Sequence, residues 1–458
     1  MGPSANIEAV GVLTSLLYAE GLVMHDWSGQ TKPLLAESWR WSDDRKTLSL
    51  ELKKDVVFHD GSQVTADTVV RSLRAKVEEK RLGFAYVTDM NATGPLSIDI
   101  HLSRPDAFLL PELSDLRLTH PDNEDIGTGP FQIVKRDPIQ IQTTRFDRYH
   151  DGASALSGVN IAVFNSQRSA WAALMKGDVD VVQEVSRESV EFMKGSTRVR
   201  AFSAVQPFYV PIFLNQSHPA LRNREVRLAM LEALDRQAII EQAMTGFGQI
   251  ADGPIWPQHW AYQAPERRHP DPAAARARLE RAGFKLKARA GGPKSRFSFR
   301  CLVLNEDPQL ERIALMVARQ LFDVGIDMSI EMVSLQALLP RAAKGDFDGL
   351  LGRVNSSRTL NITYQFWRSA DGVLPAIINT GYHGTDDAFD RFRLAGTNDE
   401  TRAAVHALVE RFSQDVPALF IAWVEVTRAV DTRFVAGDTQ ASDPFLNLRQ
   451  WRLAAPAN

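Results

Sequence analysis

The stretch from Pro33 to Arg71, PLLAESWRWSDDRKTLSLELKKDVVFHDGSQVTADTVVR, constrains this chain more than any other. Leu48, Leu50 and Leu52 alternate with polar residues, the period-two pattern of a strand with one buried face, and Val56 and Phe58 continue it. Asp60-Gly61 is a turn signal. Thr65 then stands where an N-cap is needed, and Val69, Val70 and Leu73 line one face of a helix expected over 66–80.

At 458 residues the chain is too long for one core, so two or more compact units are expected. A net charge of −3 offers no electrostatic basis for binding nucleic acid. No apolar run approaches the roughly 20 residues that cross a bilayer. The single cysteine, Cys301, excludes an intrachain disulfide and the cysteine-based zinc patterns. No two of the ten histidines stand at HxxxH spacing, and His59 beside Asp60 reads as a turn residue. None of the GxSxG, HExxH or P-loop patterns occurs, so no catalytic set, metal site or cofactor is expected.

Further along, Leu96 to Leu102 alternates as a strand, and Gly127-Thr128-Gly129-Pro130-Phe131 leads into a hairpin over 132–144. Residues 169–176 read as a helix. Phe208 to Leu214 is an apolar strand whose Pro211 argues for an edge or an irregular strand. Arg224 to Thr245 reads as one long amphipathic helix, stopped at Gly246, with Asp235-Arg236 as a local charge pair. A helix over 7–22 and a shorter one over 272–282, closed by Gly283, are also expected. Strand 296–304, helix 309–324 and strand 327–333 have the spacing of a parallel βαβ unit with a right-handed crossover. A helix over 335–344, a strand at Leu350-Leu351, a helix over 401–414 and a core strand over 418–424 follow. Gly291-Gly292-Pro293 reads as a flexible loop.

Several short segments stand in an order that is itself informative. They are Tyr18-Ala19-Glu20-Gly21-Leu22, Gly127-Thr128-Gly129-Pro130-Phe131, Arg145-Phe146-Asp147-Arg148-Tyr149 and Gly177-Asp178-Val179-Asp180. Leu214-Asn215 follows, with Arg224-Glu225-Val226-Arg227 and Ala233-Leu234-Asp235-Arg236. Then come His269-Pro270-Asp271-Pro272 with Ala282-Gly283-Phe284, Gly345-Asp346-Phe347-Asp348 and Asp415-Val416-Pro417. Together they resemble the extracytoplasmic solute-binding proteins of family 5, the peptide and nickel receptors of ABC importers. Most of these residues are expected to serve turns and caps; Gly129, for one, permits a tight backbone path.

The resemblance implies a two-lobed periplasmic-binding-protein-like α/β fold of the class II type, with a small inserted subdomain. Lobe I would comprise 1–35, 124–215 and 425–458, the inserted subdomain 36–123, and lobe II 216–424. It implies that a small solute, oligopeptide-like or an anionic opine or sugar acid, is captured in an interlobe cleft by hinge closure and passed to a permease. Peptide-binding relatives need an acid for the peptide's ammonium group shortly before the segment matched by Asn379-Thr380-Gly381-Tyr382. Here Arg368 and Ser369 stand at that place, and Asp371 sits in an Asp-Gly turn context. Arg353, Arg358 and Arg368 suit a carboxylate or phosphate instead, because the guanidinium fork binds such groups bidentately. Tyr364, Trp367 and Tyr382, with Phe366, are candidates for an aromatic floor, although core packing explains aromatic residues equally well. On the first lobe the candidates are Tyr18, Glu20, Tyr209 and Asn215.

The expected product is therefore a monomeric receptor, not an enzyme, with a small molecule or peptide and an ABC permease as partners, no nucleic acid and no transmembrane segment. Its expected location is periplasmic or extracytoplasmic. Met1-Gly2-Pro3-Ser4 lacks the look of a secretory signal. The alternative is a cytoplasmic ligand-sensing effector domain of a transcription regulator with the same fold.

Overall fold

The computed structural model describes residues 17–77, 82–137, 139–289, 292–369, 376–436 and 448–455. Most of the helix expected over 7–22, together with Asp371 and Gly291, lies outside them. The chain forms two compact units, one built from 1–204 and 426–458, the other from 205–425. Both crossings fall inside strands, Val199–Leu214 and Ala418–Asp431.

In the first unit, strands Ala36–Trp41, Thr47–Leu52, Ser97–Leu102 and Val87–Ala92 form an antiparallel sheet in that order. The register opposes Leu48 to Ile100 and Leu50 to Ile98, so the two alternating patterns bury the same face. That face packs against the helix Ala66–Val77 through Val69, Val70 and Leu73. Each such aliphatic side chain contributes about 1.5–3 kcal/mol on burial. The helix starts where expected, with the Thr68 N–H donating to Thr65 Oγ1 at 3.3 Å. The Asp60-Gly61 turn closes with the Phe58 N–H bonded to the Ser62 carbonyl at 2.9 Å, and Gly61 takes a φ of 87° that disfavours a side chain. A second sheet joins Phe131–Asp137, Gln140–Arg145 and Asn160–Ala162, the first two as the expected hairpin.

In the second unit, Phe297–Leu304 and Ile326–Val333 are parallel over eight residue pairs, joined by the helix Pro308–Asp323, and Gly349–Leu351 pairs parallel on the other side. The edge alternative for Pro211 fails here while the irregular one holds, and the single long helix fails. Pro211 lies in an interior strand, because Val199–Leu214 sits between Ala418–Asp431 and Gly349–Leu351. The partner ladder is interrupted where the proline needs it to be. Tyr209 pairs with Val354 and Ile212 with Leu351, leaving Gly352 and Arg353 out of the strands opposite Pro211. The single long helix is instead two, Arg224–Glu232 and Arg236–Ala243. Asp235 breaks it by capping the second, accepting from the Ala238 N–H at 2.9 Å. Its neighbour Arg236 is therefore not its ion-pair partner. It bonds Asp252 at 3.1 Å and the carbonyls of Ala251 and Phe420 at 2.5 and 3.2 Å.

Cys301, on the parallel strand Phe297–Leu304, is fully buried, and burial pushes its thiol up to about 12. Reaction with a thiol reagent such as DTNB at pH 8 should therefore be absent in the native protein and complete at one equivalent after unfolding. Rapid labelling of the native protein would show that this strand is not packed as described.

Candidate functional site

Glu20 is the chemical centre of the first unit. Its backbone bridges Leu118, whose N–H donates to the Glu20 carbonyl at 2.7 Å, and the residue is 5 % exposed. The carboxylate accepts from Tyr149 Oη at 2.7 Å and Thr128 Oγ1 at 3.0 Å, and His150 Nε2 lies 3.1 Å from it. Burial, followed by the Glu20 charge, drives the Tyr149 phenol well above its ordinary range, which keeps it a neutral donor. The Gly127–Phe131 turn approaches this strand so closely that a Cβ on Gly127 would lie 1.8 Å from the Tyr18 carbonyl, and one on Gly129 would lie 2.6 Å from that of Leu17. His59 ties the same turn down, with Nε2 at 2.9 Å from the Gly129 carbonyl. Tyr18 is half-buried, with Arg136 5.5 Å from its ring centroid.

Arg117 adjoins Leu118 in this bridge and is absent from the candidates read off the sequence. Its side chain is half-buried, and among the described residues no hydrogen bond or contact ion pair is made by its guanidinium. Desolvation lowers its proton affinity, and the Asp115 and Glu20 charges act on it through space in the opposite direction. A guanidinium carries five N–H donors, so an arginine held this way has its whole fork available for an acceptor. The signal in the sequence is Leu116-Arg117-Leu118, a charge set between two residues that are both buried.

The second unit holds the other seven candidates, and their polar atoms are mostly engaged within it. Trp367 Nε1 donates to Tyr209 Oη at 2.8 Å, and these two rings, 3 % and 0 % exposed, sit among Phe213, Phe412, Phe420 and Trp423. Tyr364 meets Phe389 edge-on at 5.6 Å and accepts from Arg393 at 3.2 Å. Tyr382 donates to Asp415 at 2.8 Å, and its phenol is raised by burial and by that carboxylate. The Asn215 amide donates to the carbonyls of Gly345 and Phe347, both at 2.8 Å, and its oxygen accepts from the Ser217 N–H. Arg368 pairs with Asp390 at 3.0 Å and Asp386 at 3.3 Å. Arg353 bonds Asp307 at 3.0 Å and Gln309 at 2.9 Å, while its Nε is buried without an acceptor among the described residues. The structure thus brings Tyr209 and Trp367 into one aromatic core and engages Arg353 and Arg368 in ion pairs. Among the described residues no group of three or more His, Cys, Asp or Glu could hold a metal ion, and no helix is long and apolar enough to cross a membrane.

Comparison with known proteins agrees with this architecture. The chain is 25 % identical to the oligopeptide-binding protein AppA of Bacillus subtilis over 74 % of its own length and 68 % of that protein. It spans about two thirds of the length of the curated relatives it matches first. Among solved structures it resembles NikZ from Campylobacter jejuni in complex with Ni(L-His), with a TM-score of 0.79 at 20 % identity, covering 95 % of this chain and 94 % of that one. It also resembles the binding protein AgaA from A. tumefaciens R10 in complex with agropinic acid, with a TM-score of 0.77 at 20 % identity over 98 % and 95 % of the two chains. The family model described as bacterial extracellular solute-binding proteins, family 5, matches residues 30–372. The chain belongs to this family of two-lobed α/β transport receptors, which bind solutes and are not enzymes.

Proposed function

We propose that this chain is the extracytoplasmic receptor of an ABC importer, that it works as a monomer, and that its cargo is a small anionic solute such as a carboxylate-bearing opine or modified amino acid. Arg117 carries the reading of the cargo. Of the three arginines singled out in the sequence, Arg353 and Arg368 have carboxylate partners and Arg358 is also engaged, whereas Arg117 has no hydrogen-bond partner among the described residues in a half-buried place where a charge-assisted bond is strong. The AgaA and NikZ complexes support an anionic or chelating cargo by analogy of fold alone. Capture proceeds by hinge closure, with the strands Val199–Leu214 and Ala418–Asp431 as the articulated links between the units and the solute stabilising the closed form by its differential affinity.

The solute that co-purifies with the protein, identified by mass spectrometry, is the probe for isothermal titration. Replacing Arg117 with Gln should weaken its binding by about 10- to 100-fold, the value of one or two charge-assisted hydrogen bonds. The circular dichroism spectrum should be unchanged. An unaltered affinity in a folded R117Q protein would sink the anionic reading.

A further inference from the structure

The second unit contains a cavity of about 20 Å³ lined by Arg236, Asp252, Glu266, Arg268, Ser413 and the apolar side chain of Phe412, among others. It lies where the connection that follows Gly248–Ile250 meets the last turn of the helix Asn398–Asp415. Arg236 engages both terminal nitrogens there, with Asp252 and the carbonyls of Ala251, Phe420 and Arg268. Arg267 takes the second Asp252 oxygen at 2.9 Å. Arg268 is different. Its Nε is buried and has no acceptor among the described residues, and its guanidinium forms no ion pair with any of them.

We propose that this cavity is a binding site for one ordered water, which accepts the Arg268 Nε–H and bridges it to the Ser413 hydroxyl and the Asp252 carboxylate. Size and chemistry both select this guest. A site needs about 10–15 Å³ and two to four polar partners to hold a water, so 20 Å³ with these three groups holds one and excludes a carboxylate or phosphate. A halide would fit the space poorly in charge terms. Asp252 and Glu266, both on the cavity lining, are carboxylates that repel an anion. Water both accepts and donates, which is what a donor on one side and acceptors on the other require. This site is separate from Arg117 and does not depend on the proposed cargo.

The sign of a cavity-filling substitution tests it. Serine and valine have similar helix propensities, so Ser413→Val changes mainly what occupies the cavity. If a water sits there, the methyl groups displace it and strand the Arg268 Nε–H, and the urea midpoint falls. A dry cavity would be filled with gain, so an unchanged or raised midpoint overturns the proposal. A crystal structure of the unmodified protein grown with bromide gives the second readout. The expected result is a peak within hydrogen-bond distance of Arg268 Nε that lacks bromide anomalous signal. No peak, or an anomalous one, overturns it.

Discussion

Replacing Arg227 with methionine is expected to lower the unfolding free energy by about 3–5 kcal/mol, because it leaves a set of buried carbonyls without donors. Arg227 is 4 % exposed. Its Nε donates to the carbonyls of Asp415 and Val416 at 3.1 and 3.0 Å, Nη2 to Asp415 again at 2.7 Å, and Nη1 to Leu221 and Arg222, both at 2.9 Å. These are carbonyls at the end of the helix Asn398–Asp415, where the chain turns through Val416 at a φ of 47° before entering the long strand Ala418–Asp431. The helix C-terminus compensates part of the guanidinium charge. Desolvation, the largest influence, lowers its proton affinity, and Asp415 raises it. Methionine preserves the packing of the stem and removes only the donors, so urea unfolding reads the hydrogen bonds. A lysine at this position should recover part of the loss. If methionine costs less than about 1 kcal/mol, the junction of helix and strand is not held by this side chain.

Acidification should destabilise the protein between pH 6.5 and about 4, and His259 should account for roughly 3 kcal/mol of that loss, at 1.36 kcal/mol per pH unit. His259 is buried, and desolvation pushes its imidazole from the ordinary 6.5 down to about 4. Its Nδ1 accepts from the Ala261 N–H at 3.2 Å, so a proton there would set two donors against each other. The folded-state value is depressed for a base. As the pH falls below 6.5 the unfolded chain takes up a proton that the folded chain refuses, and stability declines until the folded form titrates as well. His59, also lowered by burial, adds to the slope in the same direction. The lowered carboxyls of Asp26 and Asp431 lose their contribution only at more acidic pH. His259→Asn retains an acceptor for Ala261, so its unfolding free energy should vary much less over this window. Parallel pH profiles for the two proteins would refute the assignment.

Much of the fold was legible because its elements advertise themselves locally. Leu48, Leu50 and Leu52 on one strand and Ile98 and Ile100 on another alternate correctly and meet face to face. Thr65 caps its helix, and the βαβ spacing over 296–333 yields the parallel pair. The failures are those of tertiary context. An apolar period of helical length ran through Ala233-Leu234, and only the capping role of Asp235 shows that two helices meet there. Pro211 reads as an edge or irregular-strand residue, and the interruption at Gly352 and Arg353 on the neighbouring strands selects the second. The family was readable from ordered motifs, and the match over residues 30–372 establishes it.

The candidate site was much less legible, because residue type does not report whether a side chain is already engaged. Glu20, Asn215, Arg368 and Tyr382 have the chemistry of ligand contacts, and each has protein partners close at hand. Trp367 and Tyr209 share one hydrogen bond inside an aromatic core. Arg117, by contrast, lies in no motif. It becomes visible only once Leu116 and Leu118 are seen to be buried and its donors to be unengaged by the described residues.

Native mass spectrometry of freshly purified protein, followed by denaturing release, tests the receptor account most directly. The prediction is a discrete non-covalent adduct of a small acidic molecule, with the released molecule identical in mass to the one added back and unchanged after prolonged incubation. A protein that retains and rebinds nothing from a broad panel of acids, peptides and chelates, or that returns a molecule of altered mass, would contradict it.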